Sequence, residues 1–157
     1  MVARHVVSLL ALAIVVGCRP GAVGGPAPGA SSSENAVSEF LSAARAQDLQ
    51  ALSAVWGNDV SPTRDRIQRQ ELERRLLIIM CHLRHDESRI AQRQAGAEGR
   101  TLQPVDLSQG TMRATTTFTT VRNTKSGRWF VENLDLTPLR GFCTQMPPPG
   151  GSRLPPS

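Results

Sequence analysis

The chain has 157 residues, which is enough for one domain of ordinary size. Its formal net charge is +5, hydrophobic residues make up 39% and charged residues 20%, and this balance excludes a chain that is disordered throughout. The densest group of arginines lies between Arg64 and Arg75, where Asp65, Glu71 and Glu73 alternate with them. That spacing is typical of a solvated, ion-paired helix face. Because no aromatic residues lie among these arginines to stack on bases, nucleic acid is not predicted as a partner.

The first residues have the pattern of a targeting segment. Arg4 and His5 are followed by an apolar run over residues 6–16. A signal sequence needs about 7–15 apolar residues, whereas a membrane-spanning helix needs roughly 20, so the run predicts a signal peptide over residues 1–17. The run ends in the letters VVGC at residues 15–18. The residues that follow, up to 33, are rich in Gly, Pro, Ala and Ser and predict a flexible tether.

The VVGC stretch resembles the lipobox of bacterial lipoproteins. The resemblance implies cleavage before Cys18, a diacylglycerol on the Cys18 sulfur, and a fatty acid such as palmitate on the new amino terminus. Several acyl chains hold a protein firmly to a lipid bilayer. Arg19 rather than aspartate follows the cysteine, and by analogy with lipoprotein sorting this favours the outer membrane, facing the periplasm, over the inner membrane. The alternatives are a plain signal peptide or a buried N-terminal helix with a core cysteine.

Residues 34–145 carry the pattern of a folded domain, and the proline- and glycine-rich residues 146–157 predict a disordered tail. A capping signature, Ser31 to Glu34, precedes a first helix with an apolar stripe. Asp48 is a suitable N-cap for a second, short helix. A third helix is predicted over residues 63–83.

The hydrophobic period then changes from helical toward two. Strands are predicted over residues 89–94, 101–107, 112–122 and 128–136, and Pro104 indicates an edge or a bulge in the second of them. Three helices followed by about four antiparallel strands predict an α+β fold, with the N-terminal helices packed on the sheet.

Two stretches of this domain resemble nuclear transport factor 2-like proteins, which have a cone-shaped α+β fold. They are AVSEFLSAARAQDLQALSAVW near the start and GRWFVENLDLTPL near the end, and the resemblance covers roughly residues 35–139. It implies a curved sheet wrapped around a long helix with a conical pocket between them. Trp56, Phe118 and Trp129 are the candidate lining residues of that pocket. The alternative is a cystatin-like or unrelated α+β domain in which both tryptophans are core residues.

The chain has three cysteines. If Cys18 is lipidated, Cys81 and Cys143 remain, and an even number outside the cytoplasm predicts a disulfide that ties the end of the sheet to the third helix. The competing interpretation is a metal site, because Cys81 and His85 stand four residues apart on a helix and zinc accepts such ligands. A second ligand pair at its own short spacing is missing, so neither a metal nor another cofactor is predicted.

Enzymes with the cone-shaped fold, such as ketosteroid isomerase and scytalone dehydratase, move protons with acidic residues, often aided by tyrosine or histidine. This chain has no tyrosine, and the spacing of Asp106, Glu132, Asp135 and His85 does not bring them together. We therefore predict a non-catalytic domain. It would bind a small apolar ligand in the cone, or associate through its open sheet face with a second copy or another envelope protein. A cone-fold enzyme is the alternative.

Overall fold

A computed structural model describes residues 27–144. The predicted signal peptide over residues 1–17, Cys18, the tether before residue 27 and the tail over residues 146–157 lie outside the described residues. No helix between residues 27 and 144 is long and apolar enough to cross a membrane. The elements in chain order are α1 (Ser33–Ala46), α2 (Leu49–Val55), α3 (Arg69–His82), β1 (Glu87–Ile90), β2 (Gln94–Ala95), β3 (Thr101–Gln109), β4 (Met112–Arg122), β5 (Trp129–Leu134) and α4 (Arg140–Cys143).

The architecture is α+β, as predicted: helices pack on a curved antiparallel sheet. The strand order is β1-β3-β4-β5, and β2 also pairs with β3. There are five strands rather than about four, because the predicted strand over residues 89–94 is divided into β1 and β2. Pro104 lies opposite the gap between these two, where the Ala91 N–H donates to its carbonyl at 2.9 Å. Because proline has no backbone N–H, position 104 of β3 has no donor that the interruption would leave unpaired.

The first two helices begin at side chains that satisfy free backbone N–H groups. The Ser32 hydroxyl accepts the N–H of Asn35, so the cap of α1 lies one residue beyond the start of the predicted signature. The carboxylate of Asp48 accepts two N–H groups of the first turn of α2, as predicted. Between them, Gln47 adopts a left-handed conformation with φ 56° and ends α1.

The third helix begins later than the sequence pattern predicts. Residues Thr63–Asp65 form a separate 3₁₀ turn, and Gln68 is extended before α3 begins at Arg69. The N–H of Thr63 donates to the Trp56 carbonyl at 2.9 Å, which holds this turn against the end of α2 and away from the axis of α3. The predicted apolar side of α3 does face the core, through Leu72, Leu76, Ile79 and Met80.

The last strand contains an irregularity that the alternation of residues did not predict. The register between β4 and β5 shifts between Thr119 and Thr120. As a result Val131 and Leu134, three positions apart, both face the hydrophobic core, although strict alternation would place them on opposite faces. Phe130 is buried outside that core. Gly29 covers Phe130 so closely that a Cβ there would lie 2.8 Å from its ring.

The folded domain begins before the boundary predicted at residue 34. Ala30 is fully buried and exchanges two backbone hydrogen bonds with Trp129, at 2.8 and 2.9 Å, along the outer edge of β5. The Ser33 hydroxyl lies 2.7 Å from that of Thr120. The small residues that predicted a tether here therefore form backbone pairs that cover a sheet edge.

The core lies between helices α1 to α3 and the inner face of the sheet. Phe40 of α1 meets Phe118 of β4 edge to face, with ring centroids 6.0 Å apart and planes at 76°. Other large side chains with almost no exposed surface surround this pair: Leu52, Leu76, Leu83, Leu107, Val105 and Val131. Side chains therefore fill the space beneath the helices.

Candidate functional site

A disulfide joins the end of α3 to α4. The Cys81 and Cys143 sulfurs are 2.02 Å apart and the Cα atoms 4.9 Å apart, which is the pairing that the cysteine count predicted. Cys81 is therefore not free to bind zinc, the competing interpretation. Within residues 27–144 no group of three or more His, Cys, Asp or Glu residues is arranged to hold a metal ion.

A cavity of about 470 Å³ lies beside this disulfide, between the C-terminal ends of α1 and α3. Its size falls in the range of about 300–1,000 Å³ that is usual for small-molecule sites. It forms because α1 ends at Gln47, while the chain leaving α3 turns through residues 84–86 into β1. We call it the His85 cavity; its lining residues are Ala44, Arg45, Gln47, Leu77, Met80, Cys81, Arg84, His85, Asp86 and Gln109.

A second cavity, of about 190 Å³, adjoins the first on the side of β1. The two share Arg45 and His85 in their walls. The smaller one is otherwise lined by residues of α1 and β1: Ser38, Leu41, Ser42, Ser88 and Ile90. Arg45 and His85 thus stand between two hollows that run along the C-terminal half of α1.

The imidazole of His85 has a fixed orientation. The residue is only 9% exposed, and its Nδ1 lies 2.6 Å from the carbonyl oxygen of Leu83. A carbonyl oxygen can only accept, so Nδ1 carries the proton. The other ring nitrogen, Nε2, has no hydrogen-bond partner among residues 27–144. It can accept a hydrogen bond when the ring is neutral and donate one when the ring is protonated.

A second polar atom of the cavity wall is also without a protein partner. Gln109 ends β3, and its Oε1 atom is buried with no donor in reach among the described residues. Leaving such an acceptor unpaired costs about 1–3 kcal/mol. This oxygen has no accessible surface toward the cavity, so a molecule there does not reach it.

The rim of the cavity carries two arginines without acidic partners. Arg45 and Arg84 are exposed, and neither forms a salt bridge with a described residue. The carboxylate of Asp86, which also lines the cavity, already accepts the N–H of Gly110 at 2.7 Å. By contrast, Arg69, Arg74 and Arg75 of α3 all pair with glutamates of the same helix.

The residues predicted to line a cone pocket lie elsewhere. Phe118 is fully buried in the core against Phe40. Trp56 and Trp129 are half-buried, and each takes part in a backbone bridge at β5, Trp56 with Val131 and Trp129 with Ala30. None of the three lines the His85 cavity. Two of its lining residues, Cys81 and His85, were singled out from the sequence by their spacing, which was interpreted as the alternative of a metal site.

The other candidate acid–base groups are engaged separately. Hydrogen bonds from the Thr115 hydroxyl and from Arg89 hold the pKa of Asp106 below its ordinary value. The backbone N–H of Thr137, 2.9 Å away, lowers the pKa of Asp135. Glu132 forms an ion pair with Arg100. None of these three carboxylates lines the His85 cavity.

Comparisons with known proteins include a structural match. No protein-family model and no curated protein matches the chain. Among solved structures, the chain is similar to an LEH-like epoxide hydrolase of M. tuberculosis, with 19% sequence identity and a TM-score of 0.33. The match covers 70% of this chain and 87% of that chain. So low a likeness carries no argument about a reaction or a ligand, and the site is interpreted from this chain's own residues.

Proposed function

We propose that this chain is a lipid-anchored envelope protein whose α+β domain binds a small ligand in the His85 cavity without transforming it. One observation carries the binding part. One polar atom of the wall, His85 Nε2, has no protein partner among the described residues, and it borders a hollow of about 470 Å³ whose rim carries Arg45 and Arg84. A few polar groups converging on a largely preformed cavity are typical of a small-molecule site.

Binding is favoured over association through the sheet. Among residues 27–144, the large apolar side chains that are exposed are Val60, Leu77 and Ile78, and none belongs to a strand. Stable homodimer interfaces have a largely apolar centre. A homodimer or an envelope-protein partner that docks on the sheet is therefore the lesser alternative, and the mass measured for the native protein distinguishes it.

The anchor in this proposal is acylated Cys18, in the outer membrane and facing the periplasm. Its support is the VVGC motif together with the cysteine pairing. A bond between Cys81 and Cys143 leaves Cys18 as the third, unpaired cysteine, and disulfides persist outside the cytoplasm. Membership of the nuclear transport factor 2-like proteins belongs to the same proposal, supported by the two quoted motifs, which fall on α1 with α2 and on β5.

The binding proposal is tested by blocking the cavity. Leu77 lines the cavity and is 55% exposed, so Leu77→Trp places a large ring at its mouth with little effect on the core. Ile78→Trp is the matched control, because Ile78 is 50% exposed on the same helix but does not line the cavity. Native mass spectrometry of the full chain, extracted from its own host in mild detergent, should show a bound small molecule that Leu77→Trp alone abolishes. Equal occupancy in both variants would contradict the proposal.

The anchor is tested separately. Cells are grown with an alkyne-tagged fatty acid, and the wild-type chain is compared with Cys18→Ser. Loss of the label and of membrane fractionation in the variant supports the anchor. Retention of either one in the variant counts against it. Separating inner from outer membranes by density then tests the predicted location of the wild-type chain.

A further inference from the structure

The geometry points to a single-chain amphiphile with an anionic head group as the ligand of the His85 cavity. The inference rests on the proposed function and specifies the chemical class that the cavity would take. The inference depends on three features of the cavity: two cations at the rim, an imidazole of fixed orientation between two hollows, and an apolar wall with exposed surface.

Two arginines and one carboxylate, that of Asp86, line the cavity, which gives it a net positive charge. Arg45 and Arg84 have no acidic partner among residues 27–144, whereas Asp86 is already engaged by a backbone N–H. The C-terminal end of α1, whose carbonyl groups would repel an anion, is also partly satisfied. Its last carbonyls accept the N–H groups of Gln47 and Asp48. The two guanidinium groups outnumber the single carboxylate of Asp86 at the rim, and a carboxylate or phosphate is their natural partner.

The histidine defines where the head group would sit. His85 shares the boundary between the two hollows with Arg45, and its proton on Nδ1 is held by the Leu83 carbonyl. The ring can therefore form a hydrogen bond with a ligand only through Nε2. In the imidazolium form Nε2 donates to an oxygen of the head group, and in the neutral form it accepts from a hydroxyl.

The apolar part of the ligand would cover Leu77 and Met80. Both line the cavity, and Leu77 leaves more than half of its side chain exposed, which is a cost that an alkyl chain would relieve. The adjoining hollow offers Leu41 and Ile90 to a longer chain. A small polar anion would leave Leu77 exposed, and a neutral hydrocarbon would leave both arginines unpaired, so an amphiphile fits best.

The test uses octanoate and octyl phosphate, two soluble amphiphiles with different anionic head groups. The full chain, labelled with ¹³C in its methionine methyl groups, is placed in nanodiscs of zwitterionic phospholipid. Met80 lies in the cavity wall, so its methyl resonance, assigned with Met80→Leu, reports binding at the site itself. Either anion should shift it to saturation, whereas octanol and acetate should bind at least about tenfold more weakly. The tighter of the two anions identifies the head group.

Arginine variants test the head-group contacts. Arg45→Gln and Arg84→Gln should each weaken octanoate about tenfold, the loss expected for one charge-assisted hydrogen bond. Arg93→Gln is the matched control, because Arg93 is exposed in the β1–β2 loop and does not line the cavity. Octanol binding as tightly as octanoate, or equal affinities in all three variants, would overturn the inference. If Leu77→Trp abolishes the native ligand but neither octanoate nor octyl phosphate binds, the proposed ligand class is wrong while the binding function stands. If Leu77→Trp has no effect, the binding function itself is wrong.

Discussion

Removing the disulfide should destabilise the domain chiefly by raising the conformational entropy of the unfolded chain. Cys81 and Cys143 are 62 positions apart, so the bond closes a loop of that order in the unfolded chain. The loop-entropy relation gives about 4 kcal/mol for such a loop at 25 °C. Domains of ordinary size have unfolding free energies of about 5–15 kcal/mol, so Cys81→Ala/Cys143→Ala should lose a large part of its stability.

The folded state should change far less. Leu139 and Phe142, on either side of the start of α4, are buried independently of the bond, and His82 Nδ1 lies 3.2 Å from the Leu139 carbonyl. The measurement is urea unfolding of the full chain, followed by tryptophan fluorescence, for the oxidised protein and the double variant. Wild-type protein with reductant is the control, with free thiols verified by mass, and should unfold near the midpoint of the variant. If reduction leaves the midpoint unchanged, the loop-entropy reasoning fails.

Two further predictions concern the sheet. Gly29→Ala combines a φ of +86° with a Cβ placed 2.8 Å from the Phe130 ring, and should lower the free energy of unfolding by about 1–3 kcal/mol. Gly99→Ala, with a φ of +72° and no atom within 4 Å, should cost less in the same urea assay; equal losses would exclude the steric reason. Asp106, whose pKa is lowered by Thr115 and an arginine, should stabilise the fold above its ordinary pKa of 3.8 and lose that effect as the pH falls through its lower folded value. Asp106→Asn should therefore unfold more easily than wild type at pH 7, by a margin that shrinks as the pH falls below 3.8, and a difference that does not change with pH would contradict this.

The arrangement of elements was largely readable from the sequence because it depends on local signals. The change of hydrophobic period after residue 86 predicted helices followed by strands, and residues 112–122, rich in threonine, form β4 as expected. The cap at Asp48 was also predictable, since its partners lie within three residues. The pairing of Ala30 with Trp129 was not, because nothing local distinguishes a small-residue tether from an added edge strand.

The candidate site was harder to predict, because residues distant in sequence form it. Arg45 and Gln109 meet His85 only after α1, α3 and β3 have packed together, and no periodicity reports that. The pattern placed Cys81 and His85 on one helix face as a metal ligand pair, but α3 ends at His82 and His85 lies in the turn beyond it. The register shift at Thr119 explains a further limit, since it turns both Val131 and Leu134 toward the core and defeats simple alternation.

The backbone pairing of Ala30 with Trp129 limits how far the domain can move from a membrane. With Cys18 as the proposed anchor, residues 19–29 form the whole connection to the sheet edge, and a chain extends at most about 3.6 Å per residue. The β5 edge would then remain within roughly 40 Å of the lipid surface. The His85 cavity lies near the opposite sheet edge, at β1, so the width of the sheet separates it from the tethered edge.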